Sequence, residues 1–118
     1  MNEQEQRIAI AEVCGYVWNI GLPTKSGWWT DPHGFQVSWG NNKSDALNQI
    51  EGTNYLNDLN AMREAKSTLT AKQQYRFTVI LREVLHKAGI DTSTFFLINA
   101  SAEHQAEAFL KTLNLWIE

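Results

Sequence analysis

Trp28-Trp29-Thr30-Asp31-Pro32-His33-Gly34-Phe35-Gln36-Val37-Ser38-Trp39 reads as two short apolar arms around a turn. The centre places Asp first, Pro second and Gly fourth, the favoured positions of a type I turn. Beyond it Phe35, Val37 and Trp39 alternate with Gln36 and Ser38, the period-two signature of a strand with one buried side. Residues 27–39 are therefore expected to form a β-hairpin, with Phe35, Val37 and Trp39 turned to the core.

On the N-terminal side, residues Asn2 to about Trp18 are expected to be helical. Ile10, Val13, Cys14 and Val17 fall on one stripe, while Glu3 and Glu5 suit the helix dipole at the first turn. Gly21 and Pro23 end that pattern. Cys14 reads as a small core hydrophobe with no cation nearby to activate it.

On the C-terminal side a polar stretch leads into a short helix over 44–51. Ser44 is its expected cap, and Ala46, Leu47 and Ile50 point inward. Tyr55 to about Leu69 forms the next helix, with Tyr55, Leu59 and Met62 on one side and Arg63, Glu64 and Lys66 outward. Thr70 and Gln73 then make a capping box. The helix they open is the most regular of the chain, with Phe77, Ile80, Leu81, Val84, Leu85 and Ala88 on one face and Gly89 as its stop. Phe95-Phe96-Leu97-Ile98 is a continuous apolar run, expected as a strand over about 94–98 covered on both faces. Ser101 caps a final helix that turns Ala102, Ala106, Phe109, Leu110 and Leu113 inward. The order implies an α+β chain: a small antiparallel or mixed sheet with helices on both faces, in one domain spanning 1–118.

Composition bounds the function. The chain has 118 residues with net charge −3, and its pI lies near 5.6. That balance argues against general nucleic-acid or membrane-surface binding. A single cysteine excludes an internal disulfide. No apolar run reaches membrane-spanning length, and the start MNEQEQR lacks the apolar core of a secretory signal, so a cytoplasmic protein is expected. Four of the five Trp (Trp18, Trp28, Trp29, Trp39) lie close together. Such a cluster is either a core or a flat ligand surface, and a small domain gains most from large buried side chains.

Three stretches have a family likeness. They are Trp29-Thr30-Asp31-Pro32-His33-Gly34, the run Tyr55 to Ala65 with its core Asp58-Leu59-Asn60-Ala61-Met62-Arg63-Glu64-Ala65, and the ending from Ile98 to Leu113 with Trp116. Together they resemble the small phage and prophage proteins grouped as the phage ABA sandwich domain, over roughly residues 5–116. Arg63 stands where the family pattern often has His. The resemblance implies a three-layer α/β/α sandwich of phage or prophage origin, and it brings no established reaction.

No catalytic constellation emerges from the residues. Asp31 and His33 suit an acid–base pair only if they meet; otherwise Asp31 holds the turn and His33 is exposed. Glu103, His104 and Glu107 share a helix, yet no second ligand cluster exists, so no metal is expected. Asn57-Asp58-Leu59-Asn60 lacks the glycine and terminal glutamate of a calcium loop, and Asn57 or Asp58 is better read as a helix cap. No glycine-rich phosphate loop is present. Charge is nevertheless uneven: residues 59–90 hold six bases and two acids, while 1–58 hold seven acids and three bases. A basic middle either binds phosphate or an acidic partner, or is a solvated helix face.

These features point to a non-enzymatic interaction protein acting on an unidentified host or phage protein, without cofactor and with self-association through its sheet edges as a further expectation. The alternative is a small-molecule ligand, such as a nucleotide. Trp28, Trp29 or Trp39 would then stack a base, and Arg63, Arg76 or Lys72 would meet phosphate. His33, Asp58 and Asn60 complete the candidate contact residues.

Overall fold

The computed structural model describes residues 1–21, 26–90, 93 and 100–118. Within them, helix ends are set by side chains that satisfy free backbone groups. Helix α1 (Glu3–Val13) starts at Asn2, whose side chain accepts the Glu5 N–H at 2.8 Å while Glu5 accepts the Asn2 N–H at 3.3 Å. It stops before Gly15, which takes a φ of 100°. The N–H groups of Gly15 and Tyr16 then bond back to the carbonyls of Glu12 and Ala11, both at 3.1 Å. Continuation of this helix to Trp18 is thus corrected: the chain turns at Gly15, and Val17 and Trp18 enter a strand.

Three strands, β1 (Val17–Ile20), β2 (Gly27–Thr30) and β3 (Gln36–Gly40), form an antiparallel sheet in the order β1-β2-β3. The turn between β2 and β3 has the expected chemistry. Gly34 N–H bonds Asp31 O at 2.9 Å, and Gly34 itself sits at φ 89°. The burial of the second arm, however, is the reverse of expectation. Phe35, Val37 and Trp39 are exposed by 69%, 38% and 60%, whereas Ser38 is buried. Phe35 lies in the turn before β3; for Val37 and Trp39 the cause is a bulge: Thr30 pairs with Gln36, but Trp29 pairs with Ser38, leaving Val37 as an extra residue. One inserted residue inverts the parity of everything after it. Ser38 therefore lies opposite buried Trp29, and Trp39 lies opposite Trp28 on the outer face.

Helix α2 (Lys43–Leu47) is capped by Asn42, not Ser44, and buries Ala46 and Leu47. Helix α3 (Leu59–Lys66) is shorter than the 55–69 expected. The Asp58 carboxylate accepts the N–H groups of Asn60 and Ala61 at 2.9 and 3.4 Å and starts the helix there. Tyr55 and Met62 are buried as expected, but Leu59, in the first turn, is 52% exposed. Helix α4 (Ala71–Lys87) opens with the Thr70–Gln73 capping box and buries Phe77, Leu81, Val84 and Leu85. Ala88, placed on that face from the sequence, is exposed. Helix α5 (Ala102–Thr112) is capped by Ser101 and buries Ala106, Phe109 and Leu110. The strand expected over 94–98 lies outside the described residues.

The fold is α+β. Helix α5 lies at the centre of the helical part, against α4, α1 and α3, while α2 packs on β2 and β3. The core runs from Trp29 and Leu47 beneath the sheet through Ile10 and Met62 to Leu85, Phe109 and Leu110. On the opposite face of the sheet Val17 and Trp39 stay exposed.

Candidate functional site

The outer face is built by register. Val17 pairs with Thr30, Asn19 with Trp28, and Trp28 with Trp39, so these residues share one side. Trp28 is half-buried and Trp39 mostly exposed, with Val17 exposed by 54% at the far edge. Asn19 Nδ2 donates to Val17 O at 3.2 Å and Trp28 O at 3.4 Å, and the Thr30 hydroxyl donates to Val17 O at 3.4 Å. The Asn19 and Thr30 side chains are therefore bound within the sheet, and the two indoles, Val17 and the exposed Gln36 form its free surface. None of the three strands contains an ionisable residue. On the edge, Gln49 Nε2 donates to Trp39 O at 2.9 Å and occupies one of the carbonyls that an added strand would use.

The Trp cluster is thus split by the sheet. Trp29 is fully buried, donates Nε1–H to Lys43 O at 3.0 Å, and meets Trp18 with ring centroids 5.5 Å apart. It is a core residue, and its expected part in stacking a ligand is corrected. Trp28 and Trp39 remain as surface.

The other candidate residues are scattered. Asp31 Oδ1 accepts the backbone N–H groups of His33 and Phe35, both at 2.9 Å, which leaves His33 exposed rather than engaged as a pair. Asp58 is the α3 cap, and Asn60 is exposed beside it. Arg76 reaches Asn114 Oδ1 at 3.5 Å. Arg63 lines a depression between α3 and α4 whose lining includes no Trp. The arrangement in which one ligand stacks on Trp28 or Trp39 while Arg63 and Arg76 hold its phosphate is not assembled by the described residues. His104 Nδ1 lies 3.0 Å from Ser101 Oγ, and Glu107 pairs with Lys111 at 2.9 Å. Among the described residues no group of three or more His, Cys, Asp or Glu is gathered to hold a metal.

A second pocket escaped the sequence reading. Cys14, Tyr16, Tyr55 and Glu64 line a small cavity of about 160 Å³ between α1, α3 and the hairpin turn. Burial pushes the Cys14 thiol above its ordinary value, and the Tyr55 hydroxyl, hydrogen-bonded to it and itself buried, is also pushed up. That is the reverse of nucleophile activation, which needs a depressed thiol. Only the pairing of residues 14 and 55 in space reveals this cavity, and no local motif signals it.

No family model, curated protein or solved structure matches this chain.

Proposed function

We propose that the protein is a small non-enzymatic interaction protein, of phage or prophage type as its sequence resembles, which acts in the host cytoplasm. The outer face of its sheet is the contact surface, and its occupant is an uncharged apolar patch of a partner protein. One observation carries this reading: Trp39 is 60% exposed beside Trp28 on strands that contain no ionisable residue. Indoles are the side chains that contribute most at protein interfaces when fully desolvated. The absence of charge favours an apolar partner surface over an acidic or basic one. The resemblance around Asp58–Ala65 supports the phage assignment.

Hydroxyl-radical footprinting of the protein in its assembled form tests the surface, with native mass spectrometry to identify the assembly. Oxidation of Trp39, Trp28 and Val17 should fall on assembly, while that of Tyr75 on α4 should not. A second copy of the chain in place of a different protein would show as a multiple of the chain mass. An assembly that leaves Trp39 oxidation unchanged refutes the sheet face as the contact surface.

A further inference from the structure

A second surface, independent of the sheet, carries chemistry that the interaction reading does not use. Between α3 and α4 lies a depression of about 330 Å³ whose lining includes Arg63, Lys66, Ser67, Gln74, Phe77 and Thr78. Its two cations stand three residues apart on one helix face, and neither forms an ion pair among the described residues. The Lys66 ammonium is held 5.5 Å above the Phe77 ring. The neighbouring hydroxyls are turned away: Ser67 Oγ donates to Glu64 O at 2.6 Å, and Thr78 Oγ1 to Gln74 O at 3.2 Å. The free donors of the depression are therefore concentrated on the two charged groups.

We propose that this depression binds a small phosphate monoester, with the Arg63 guanidinium and the Lys66 ammonium both on the phosphate. Two uncompensated positive charges match a group that carries about −1.5 to −2 at neutral pH better than a carboxylate with one. Guanidinium adds a planar pair of donors suited to phosphate oxygens. The volume is at the low end for small-molecule sites and too small for an extended polymer. A helix C-terminus attracts cations by its dipole, which accounts for basic residues in the last turn of α3. It does not account for a half-buried ammonium, whose proton is made less secure first by desolvation and then by Arg63. An anion between the two groups would offset both effects by its charge. The site differs from the Trp-based nucleotide reading in its residues: Lys66 belongs to it, whereas Trp28, Trp39 and Arg76 are absent from its lining.

Titration of the full chain with phenyl phosphate, followed by amide shifts in two-dimensional NMR, tests the proposal. Saturable shifts should centre on residues 63–67 and 74–78. Arg63→Gln or Lys66→Gln should each weaken binding roughly tenfold or more. Lys66→Arg, which keeps the charge, should retain most of it. Arg82→Gln, on α4 but outside the depression, should change nothing; its amide spectrum and that of the other variants report whether the fold is intact. Shifts that rise linearly without saturating overturn the proposal. So does an equal loss in Arg82→Gln, which would reveal a diffuse positive field, and so does benzoate binding as tightly as phenyl phosphate.

Discussion

The bulge that inverts the hairpin makes a sharp contrast between two tryptophans, and Trp29→Phe against Trp39→Phe measures it. Phenylalanine keeps a six-membered ring at position 29 but removes the pyrrole ring and its N–H. The hydrogen bond to Lys43 O, 3.0 Å long, contributes about 1 kcal/mol. The missing ring leaves roughly 40 Å³ in a site with no solvent exposure, which at about 24 cal/mol per Å³ costs about 1 kcal/mol more. The total is about 2 kcal/mol. For a chain of 118 residues that lowers Tm by about 8 °C, from an unfolding entropy of about 2.1 cal/mol/K per residue. The same change at Trp39, mostly in solvent, should stay within about 0.5 kcal/mol, or about 2 °C. Urea unfolding followed by far-UV circular dichroism gives both values. If Trp39→Phe loses as much as Trp29→Phe, the register is wrong and Phe35, Val37 and Trp39 do form the buried face.

Three further outcomes follow from the same geometry. A methyl group on Gly27 would collide with Asn19 O and the Trp18 ring, so Gly27→Ala should cost about 3 kcal/mol and strip amide-exchange protection from β1; wild-type protection there would contradict the β1–β2 pairing. Ser38 Oγ is buried without a hydrogen-bond partner, so Ser38→Ala should leave stability unchanged or raise it by about 1 kcal/mol, and a loss in urea unfolding would show that the hydroxyl is bonded. Stability should fall as pH rises past the ordinary thiol value of 9.0, because the unfolded chain then releases the Cys14 proton while the folded chain, with the thiol pushed up by burial, keeps it. Tyr16 and Tyr55 extend that loss above 10.0, and Cys14→Ala should remove its first part; equal urea midpoints at pH 8 and 10 would refute the linkage.

The helices were largely legible because their signals are local. Thr70 with Gln73, Ser101 and Asp58 satisfy backbone groups two or three residues away, and the structure places each of them at a helix start. Gly15 misled because a glycine late in a helix reads as a weakness, whereas at φ 100° it is a stop followed by a strand. The hairpin turn was legible for the same local reason. Its buried side was not, since parity depends on a bulge set by pairing with β2 and no residue of 36–40 signals that shift alone. Among the candidate site residues, Trp39 is exposed and Trp28 half-buried, while Trp29 shares their chemistry and differs only in the direction it faces. From the sequence Lys66 reads as an outward-facing member of the basic middle, and its contact with Phe77 needs the packing of α3 on α4 to be seen.

The sheet face and the hairpin bulge are linked by a physical argument. Had β3 paired without its extra residue, Val37 would oppose Trp29, and Trp39 would follow it toward the core. The bulge instead buries a serine hydroxyl without a partner and exposes an indole, and both changes act against the stability of the isolated chain. An exposed Trp39 adds little to folding, so its large apolar surface becomes stabilising only when something covers it. The same three strands carry no charge that would deter contact. A face that weakens the monomer and admits an apolar neighbour has the energetics of an interface, where the cost in the free protein is offset on binding.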